Sequence, residues 1–159
     1  MIRLWRSGGF TLIEMVVVVA LVGVLAAAAQ PILTLAKRRN DELQLHQSLR
    51  ALRNAIDAYK QAATDHRIEV AADASGYPPN LRALVDGVPE SSASKGRRIY
   101  FMRRLPRDPF ADPSLPAEDT WGLRSYESSP EAPSPGRDVF DVRSLSEGDG
   151  LDGTPYTSW

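Results

Sequence analysis

Between Phe10 and Ala29 the chain runs for twenty residues with Glu14 as its only charged side chain. A helix of that length rises roughly 30 Å, the thickness of a bilayer's hydrocarbon core, so the pattern predicts a membrane-spanning segment. From Ile32 the pattern becomes amphipathic. Leu45, Leu49, Leu52, Ile56, Tyr59 and Ala63 recur at spacings of 4, 3, 4, 3 and 4, one stripe along a helix. Arg38, Arg39, Asp41, Glu42, Arg50, Arg53, Asp57 and Lys60 are placed off that stripe. No strong breaker falls between Pro31 and Gly76, so one helix is expected from about Phe10 to about Thr64. Pro31 lacks an amide proton and is expected to bend or open the helix just past the apolar run.

The pattern changes again after the helix. Of twelve prolines, Pro31 alone precedes residue 78. Asp73 to Gly76 reads as a loop. Tyr77-Pro78-Pro79-Asn80 leads into a short helix over Leu81 to Val85, with Asn80 as N-cap. Glu90 to Gly96 reads as a mobile loop, and Ile99-Tyr100-Phe101-Met102 as a short apolar run, helix or strand. Leu105-Pro106-Arg107-Asp108-Pro109-Phe110 is extended around its prolines. Trp121 to Tyr126 and Val139 to Leu145 alternate and read as strands joined by the proline-rich loop Ser128 to Gly136. The expected fold class is α+β, a long N-terminal helix whose stripe packs against a small antiparallel sheet.

Composition narrows the chemistry. The chain has 159 residues and a net charge of −1, which gives no basic footprint for nucleic acid. It contains no cysteine, which removes disulfides, thiolate catalysis and cysteine-based zinc sites together. His46 and His66 have no partner at ligand spacing and are expected in solvent. There is no nucleophile elbow, phosphate loop or HExxH, and the acids are spread as on a solvated surface. The chain does not read as an enzyme.

The N-terminus carries the sharper signal. Arg3 and Arg6 precede the apolar run without an acid between them, which holds that end in the cytoplasm. In a secretory signal the small-residue cleavage site follows the apolar region; here Gly8-Gly9 precedes it. An uncut signal anchor leaves Gly8-Gly9 and Glu14 without a role. Gly9-Phe10-Thr11-Leu12-Ile13-Glu14 resembles the processing signal of the type IV pilin-like superfamily. That resemblance implies cleavage between Gly9 and Phe10 by the prepilin peptidase and N-methylation of Phe10. It further implies that Glu14 attracts the Phe10 amine of a neighbouring subunit during assembly. The residues alone also allow a pair within one helix, because Phe10 and Glu14 are four apart. The expected organisation is a leader over residues 1–9, a transmembrane and assembly helix over 10–31, and a periplasmic globular part over 32–159.

The order of the later pieces resembles one subfamily, the major (G-type) pseudopilin of type II secretion. The pieces are Tyr77-Pro78, the Leu81 to Val85 helix, Leu105 to Phe110, Val139-Phe140-Asp141-Val142, and Ser144-Leu145 through Gly148-Asp149-Gly150 to Trp159. The resemblance implies a subunit of the secretion pseudopilus, a filament made with itself and other pseudopilins. The same resemblance implies the prepilin peptidase and an inner-membrane assembly platform as partners, and a single-pass inner-membrane protein with a cytoplasmic N-terminus. A type IV pilus subunit and a minor tip pseudopilin are the alternative readings. The subfamily holds its C-terminal loop with calcium, which takes roughly six to eight oxygen ligands. Glu147, Asp149 and Asp152 are the expected carboxylates, although this loop is shorter than the subfamily's and has no adjacent pair of aspartates.

Overall fold

A computed structural model of the chain describes residues 9–91 and 96–159. The leader positions Arg3 and Arg6, and the centre of the expected Glu90 to Gly96 loop, lie outside the described residues. Contacts divide the chain into two units, after Arg39.

In the first unit a helix, α1 (Leu12–Thr64), begins two residues past Phe10. Every described residue up to Asn40 is exposed. This helix is long and apolar enough to cross a membrane. Val16 to Val19, Leu21, Val22, Val24 and Leu25 are exposed along it. The helix runs without interruption through Pro31, and the Thr34 hydroxyl donates to the Pro31 carbonyl at 2.9 Å.

The second unit runs over Asn40–Trp159. Its part of α1 buries Leu45, Leu49, Leu52, Ile56, Tyr59 and Ala63, the stripe expected from the spacing, together with Ala55 and Ala62 on its flank. Glu42 is buried as well. It lies three residues before Leu45, in register with the stripe and not off it as its charge suggested.

A short helix, α2 (Arg82–Asp86), follows. The Asn80 side chain accepts the Ala83 amide at 3.0 Å, so it caps this helix as expected. Gly87 ends it at φ 74°, and a Cβ there would sit 2.8 Å from the Tyr100 ring. A two-residue hairpin comes next, β1 (Val88–Pro89) against β2 (Arg98–Ile99), antiparallel, with Val88 opposite Ile99. Only Ile99 of the expected 99–102 run is in a strand. The Phe101 and Met102 amides turn to the Leu84 carbonyl at 3.0 and 2.9 Å.

The second sheet pairs β3 (Trp121–Arg124) with β4 (Asp141–Ser144), antiparallel, Trp121 opposite Ser144 and Arg124 opposite Asp141. Both strands are shorter than expected because loops take the next hydrogen bonds. Ser125 N–H goes to the Ser134 carbonyl at 3.0 Å, and Tyr126 N–H to the Asp138 carboxylate at 2.8 Å. Val142 and Trp121 join the core formed by the α1 stripe, Ile68, Leu81, Leu84, Val139 and Tyr156. Turns of 3₁₀ helix at Ala117–Thr120 and Tyr156–Ser158 complete the described residues. The fold is α+β and pilin-like.

The proline-bearing segments are where loops are tied to the sheet. The Pro78 carbonyl accepts the Val139 amide at 2.8 Å, and Tyr77 packs edge-on against Phe140 at 5.0 Å. The Pro106 carbonyl accepts Trp121 Nε1 at 3.0 Å. Asp108, 2% exposed, accepts the Ser144 hydroxyl at 2.5 Å on one oxygen and the Phe110 amide at 2.8 Å on the other.

Candidate functional site

Two places correspond to the expected sites, one in each unit. At the N-terminal place, Gly9 and Phe10 are exposed and precede the helix. A Cβ built on Gly9 meets no described atom within 4 Å, so packing among the described residues does not require glycine here.

Glu14 is exposed and joined to Thr11 in both directions. Its carboxylate accepts the Thr11 amide at 3.5 Å, and the Thr11 hydroxyl accepts the Glu14 amide at 3.3 Å. This is the reciprocal arrangement of a capping box, Thr-x-x-Glu, at the start of α1. Both bonds are long, and the carboxylate takes part in one of them alone, so it is held weakly. Thr11 is the residue that sequence reasoning missed. The signal was present as a threonine three positions before the acid.

At the C-terminal place the three expected calcium ligands do not come together. Among the described residues no group of three or more acidic or histidine side chains is placed to hold a metal ion. Asp152 Oδ1 accepts both the amide and the hydroxyl of Thr154, at 2.9 and 2.7 Å. Those bonds, backbone first, hold its carboxyl below the ordinary aspartate value. The Gly150 amide donates to the Thr154 carbonyl at 2.7 Å, and Asp149 bridges to Pro155. A Cβ on Gly150 would collide with the Trp159 ring. The turn is thus closed around an indole.

Side chains of α1 fasten this turn. Glu42 Oε1 accepts the Leu151 amide and the Tyr156 hydroxyl, both at 2.9 Å. Arg53 donates to the Asp141 carboxylate at 2.8 Å, the Val142 carbonyl at 3.0 Å and the Trp159 main-chain oxygen at 2.7 Å. His46 is exposed, as expected, but one face stacks on Trp159 at 4.1 Å and 9°.

A crevice of about 320 Å³ is lined by Tyr59, Glu69, Ser75, Tyr77, Arg137 and Asp138, among others. Its serine donates to Asp138, and the other Asp138 oxygen holds the Tyr126 amide. That carboxylate is taken up in fixing the 125–138 loop, and no histidine lines the crevice.

The model of the prokaryotic N-terminal methylation motif matches residues 6–30. The chain is 32% identical over 112 residues to the type II secretion system core protein G of Aeromonas hydrophila, covering 68% of this chain and 71% of that one. Identity to the core protein G of Klebsiella pneumoniae is 36% over 109 residues, 66% and 70% of the two chains. For Klebsiella michiganensis it is 31% over 135 residues, 82% and 87%. No solved structure matches the chain. With a methylation motif at the head of an exposed apolar helix and this identity over most of its length, the chain belongs to the family of the type II secretion system core protein G, the major pseudopilin.

Proposed function

We propose that this chain is a structural subunit of the type II secretion pseudopilus, assembled through its N-terminal apolar helix to drive protein export across the outer membrane. The observation that carries the reading is the methylation motif opening onto a helix with no buried residue as far as Asn40. The prepilin peptidase cuts after Gly9, and Phe10 becomes the N-methylated terminus. The open space around Gly9 supports this, because the glycine then answers to the peptidase and not to the fold. The cut also removes Arg3 and Arg6, the leader's cytoplasmic anchor charges. The apolar segment spans the inner membrane with the following unit in the periplasm, and helices of this chain and other pseudopilins pack on the assembly platform. The role is structural: in the crevice Asp138 is engaged in holding the 125–138 loop in place.

The cut creates the amine that Glu14 meets. A carboxylate in an apolar surrounding is stabilised by an opposite charge, and its weak bonds to Thr11 leave it free to take one. The test uses Glu14→Leu and Thr11→Val in the full chain in membranes. Glu14→Leu should insert and lose its leader normally, yet cross-linked multimers should fall by about tenfold, a loss of ~1.4 kcal/mol. Thr11→Val breaks the capping box but keeps the charge, and should form multimers near the parent level. Parent-level multimers in Glu14→Leu, or equal loss in Thr11→Val, would refute the charge pairing.

A further inference from the structure

We infer that the C-terminal loop of this chain is held by the Glu42 carboxylate in place of a metal ion, so that neither the subunit's fold nor its assembly depends on calcium. The assembly clause rests on the pseudopilin reading above; the loop clause does not.

The polarity of the loop decides the matter. A calcium site needs oxygen lone pairs converging on one point. Here the loop turns hydrogen-bond donors inward. The Leu151 amide and the Tyr156 hydroxyl both aim at Glu42 Oε1. A cation at that point would face two protons, whereas a carboxylate satisfies both. Glu42 is 9% exposed and Tyr156 is 3% exposed, so the clasp is shielded from water. Tyr156 is itself fixed, stacked on Phe110 at 4.4 Å and edge-on to Trp159 at 4.9 Å.

The volume and the ligands tell the same way. Aromatic rings lie against the 148–154 turn at Gly148 and Gly150. A Cβ on Gly148 would lie 3.1 Å from the Tyr156 ring, and Trp159 occupies the space beside Gly150. Asp152 Oδ1 is spent on Thr154. Trp159 is drawn in by His46 on its face, by Thr154 at its Nε1 and by Arg53 at its main-chain oxygen.

The test is limited proteolysis of the full chain in detergent micelles, with the C-terminus followed by mass spectrometry. Calcium is varied from chelator excess through the ~0.1–1 mM range typical of extracellular calcium modules. Cleavage of the C-terminal loop should change by less than about twofold across that range, well under the ~10-fold that 1.4 kcal/mol of protection gives. Glu42→Ala should speed cleavage by at least about tenfold, since both the Leu151 amide and the Tyr156 hydroxyl lose a charged acceptor. Glu42→Gln keeps an acceptor oxygen at the same reach, and reads the clasp if Glu42→Ala does not fold. It should be cut about threefold faster, with no rescue by calcium. Glu147→Gln with Asp152→Asn weakens a calcium site but keeps an acceptor for Thr154, and should cleave like the parent. Strong protection by calcium in the parent, its loss in the Glu147/Asp152 variant, or parent-like cleavage of Glu42→Ala would overturn the clasp. Cross-linked multimers should form equally with and without chelator, and their loss on chelation alone would overturn the assembly clause. Failure of the Glu14→Leu test instead strikes the pseudopilin mechanism and leaves the protease result standing.

Discussion

Asp108→Ala should be among the most damaging single changes in the Asn40–Trp159 unit. The carboxylate is 2% exposed and serves two donors. The Ser144 hydroxyl, on a residue with no exposure, donates to Oδ2, and the Phe110 amide donates to Oδ1. A hydrogen bond to a charged group contributes about 1.5–3 kcal/mol, and an orphaned buried donor costs a similar amount. Adding both and allowing for coupling gives a loss of about 3–4 kcal/mol. That is a large part of the ~5–15 kcal/mol that holds a domain folded. Asp108→Asn keeps an acceptor for Phe110 and offers its amide to the Ser144 oxygen, so it should cost about 1–2 kcal/mol. Ser144→Ala should cost about 1.5–3 kcal/mol, and the double variant should lose clearly less than the sum. The assay is urea unfolding of the full chain in micelles, followed by tryptophan fluorescence. Trp121 is a local reporter, because it is buried and its Nε1 bonds to Pro106 in the same segment. Asp108→Ala within ~0.5 kcal/mol of the parent, the range of an ordinary surface change, would refute the network.

Leu84→Ala empties a fully buried site between α2 and the stripe and should cost about 2–5 kcal/mol, read as a lower urea midpoint. Acidification should also destabilise. Asp112, Glu118 and Asp152 have carboxyls held below their ordinary values, chiefly by hydrogen bonds from Ser114, Arg82 and Thr154 respectively. A folded value below the unfolded one stabilises above the unfolded carboxylate range, near pH ~4, and that contribution is lost as pH falls through the folded value. The urea midpoint should therefore drop as pH falls below about 4; a rise over that interval would contradict the hydrogen-bond assignments.

What the sequence shows and hides follows from which signals are local. The α1 stripe was legible because apolar spacing and burial are the same fact seen twice. Glu42 was hidden because a carboxylate is counted with the solvated face, although its register, three before Leu45, placed it on the buried one. The sheet of β3 and β4 was legible from alternation. Its ends were not, because the Ser125 and Tyr126 amides are claimed by Ser134 and Asp138, partners that alternation cannot see. The hairpin of β1 and β2 has two residues a side and a proline in one strand, too little for any period to register. The acids at Glu147, Asp149 and Asp152 could be counted, but a count of carboxylates says nothing about where they point. The segments Tyr77-Pro78 and Leu105 to Phe110 were legible as a turn and an extended run around prolines, but what they hold was not; the bonds of Pro78, Pro106 and Asp108 give the reason those residues stand there.

Helix α1 carries two carboxylates with opposite fates, and the difference is set by what each already holds. Glu42 accepts two bonds at 2.9 Å in a buried place. Withdrawing it would strand the Leu151 amide and the Tyr156 hydroxyl at a cost of about 3 kcal/mol or more. Glu14 is exposed, and its two links to Thr11 are 3.3 and 3.5 Å long, together of order 1 kcal/mol or less at such distances. A positive amine arriving in an apolar surrounding is worth more than that, so it can take Glu14 from its cap but cannot compete for Glu42. In the uncut chain Phe10 nitrogen is an amide and offers Glu14 no charge at all. On the proposed mechanism, processing after Gly9 turns a weak helix cap into the acceptor of an ion pair without disturbing the carboxylate that keeps the C-terminal loop closed.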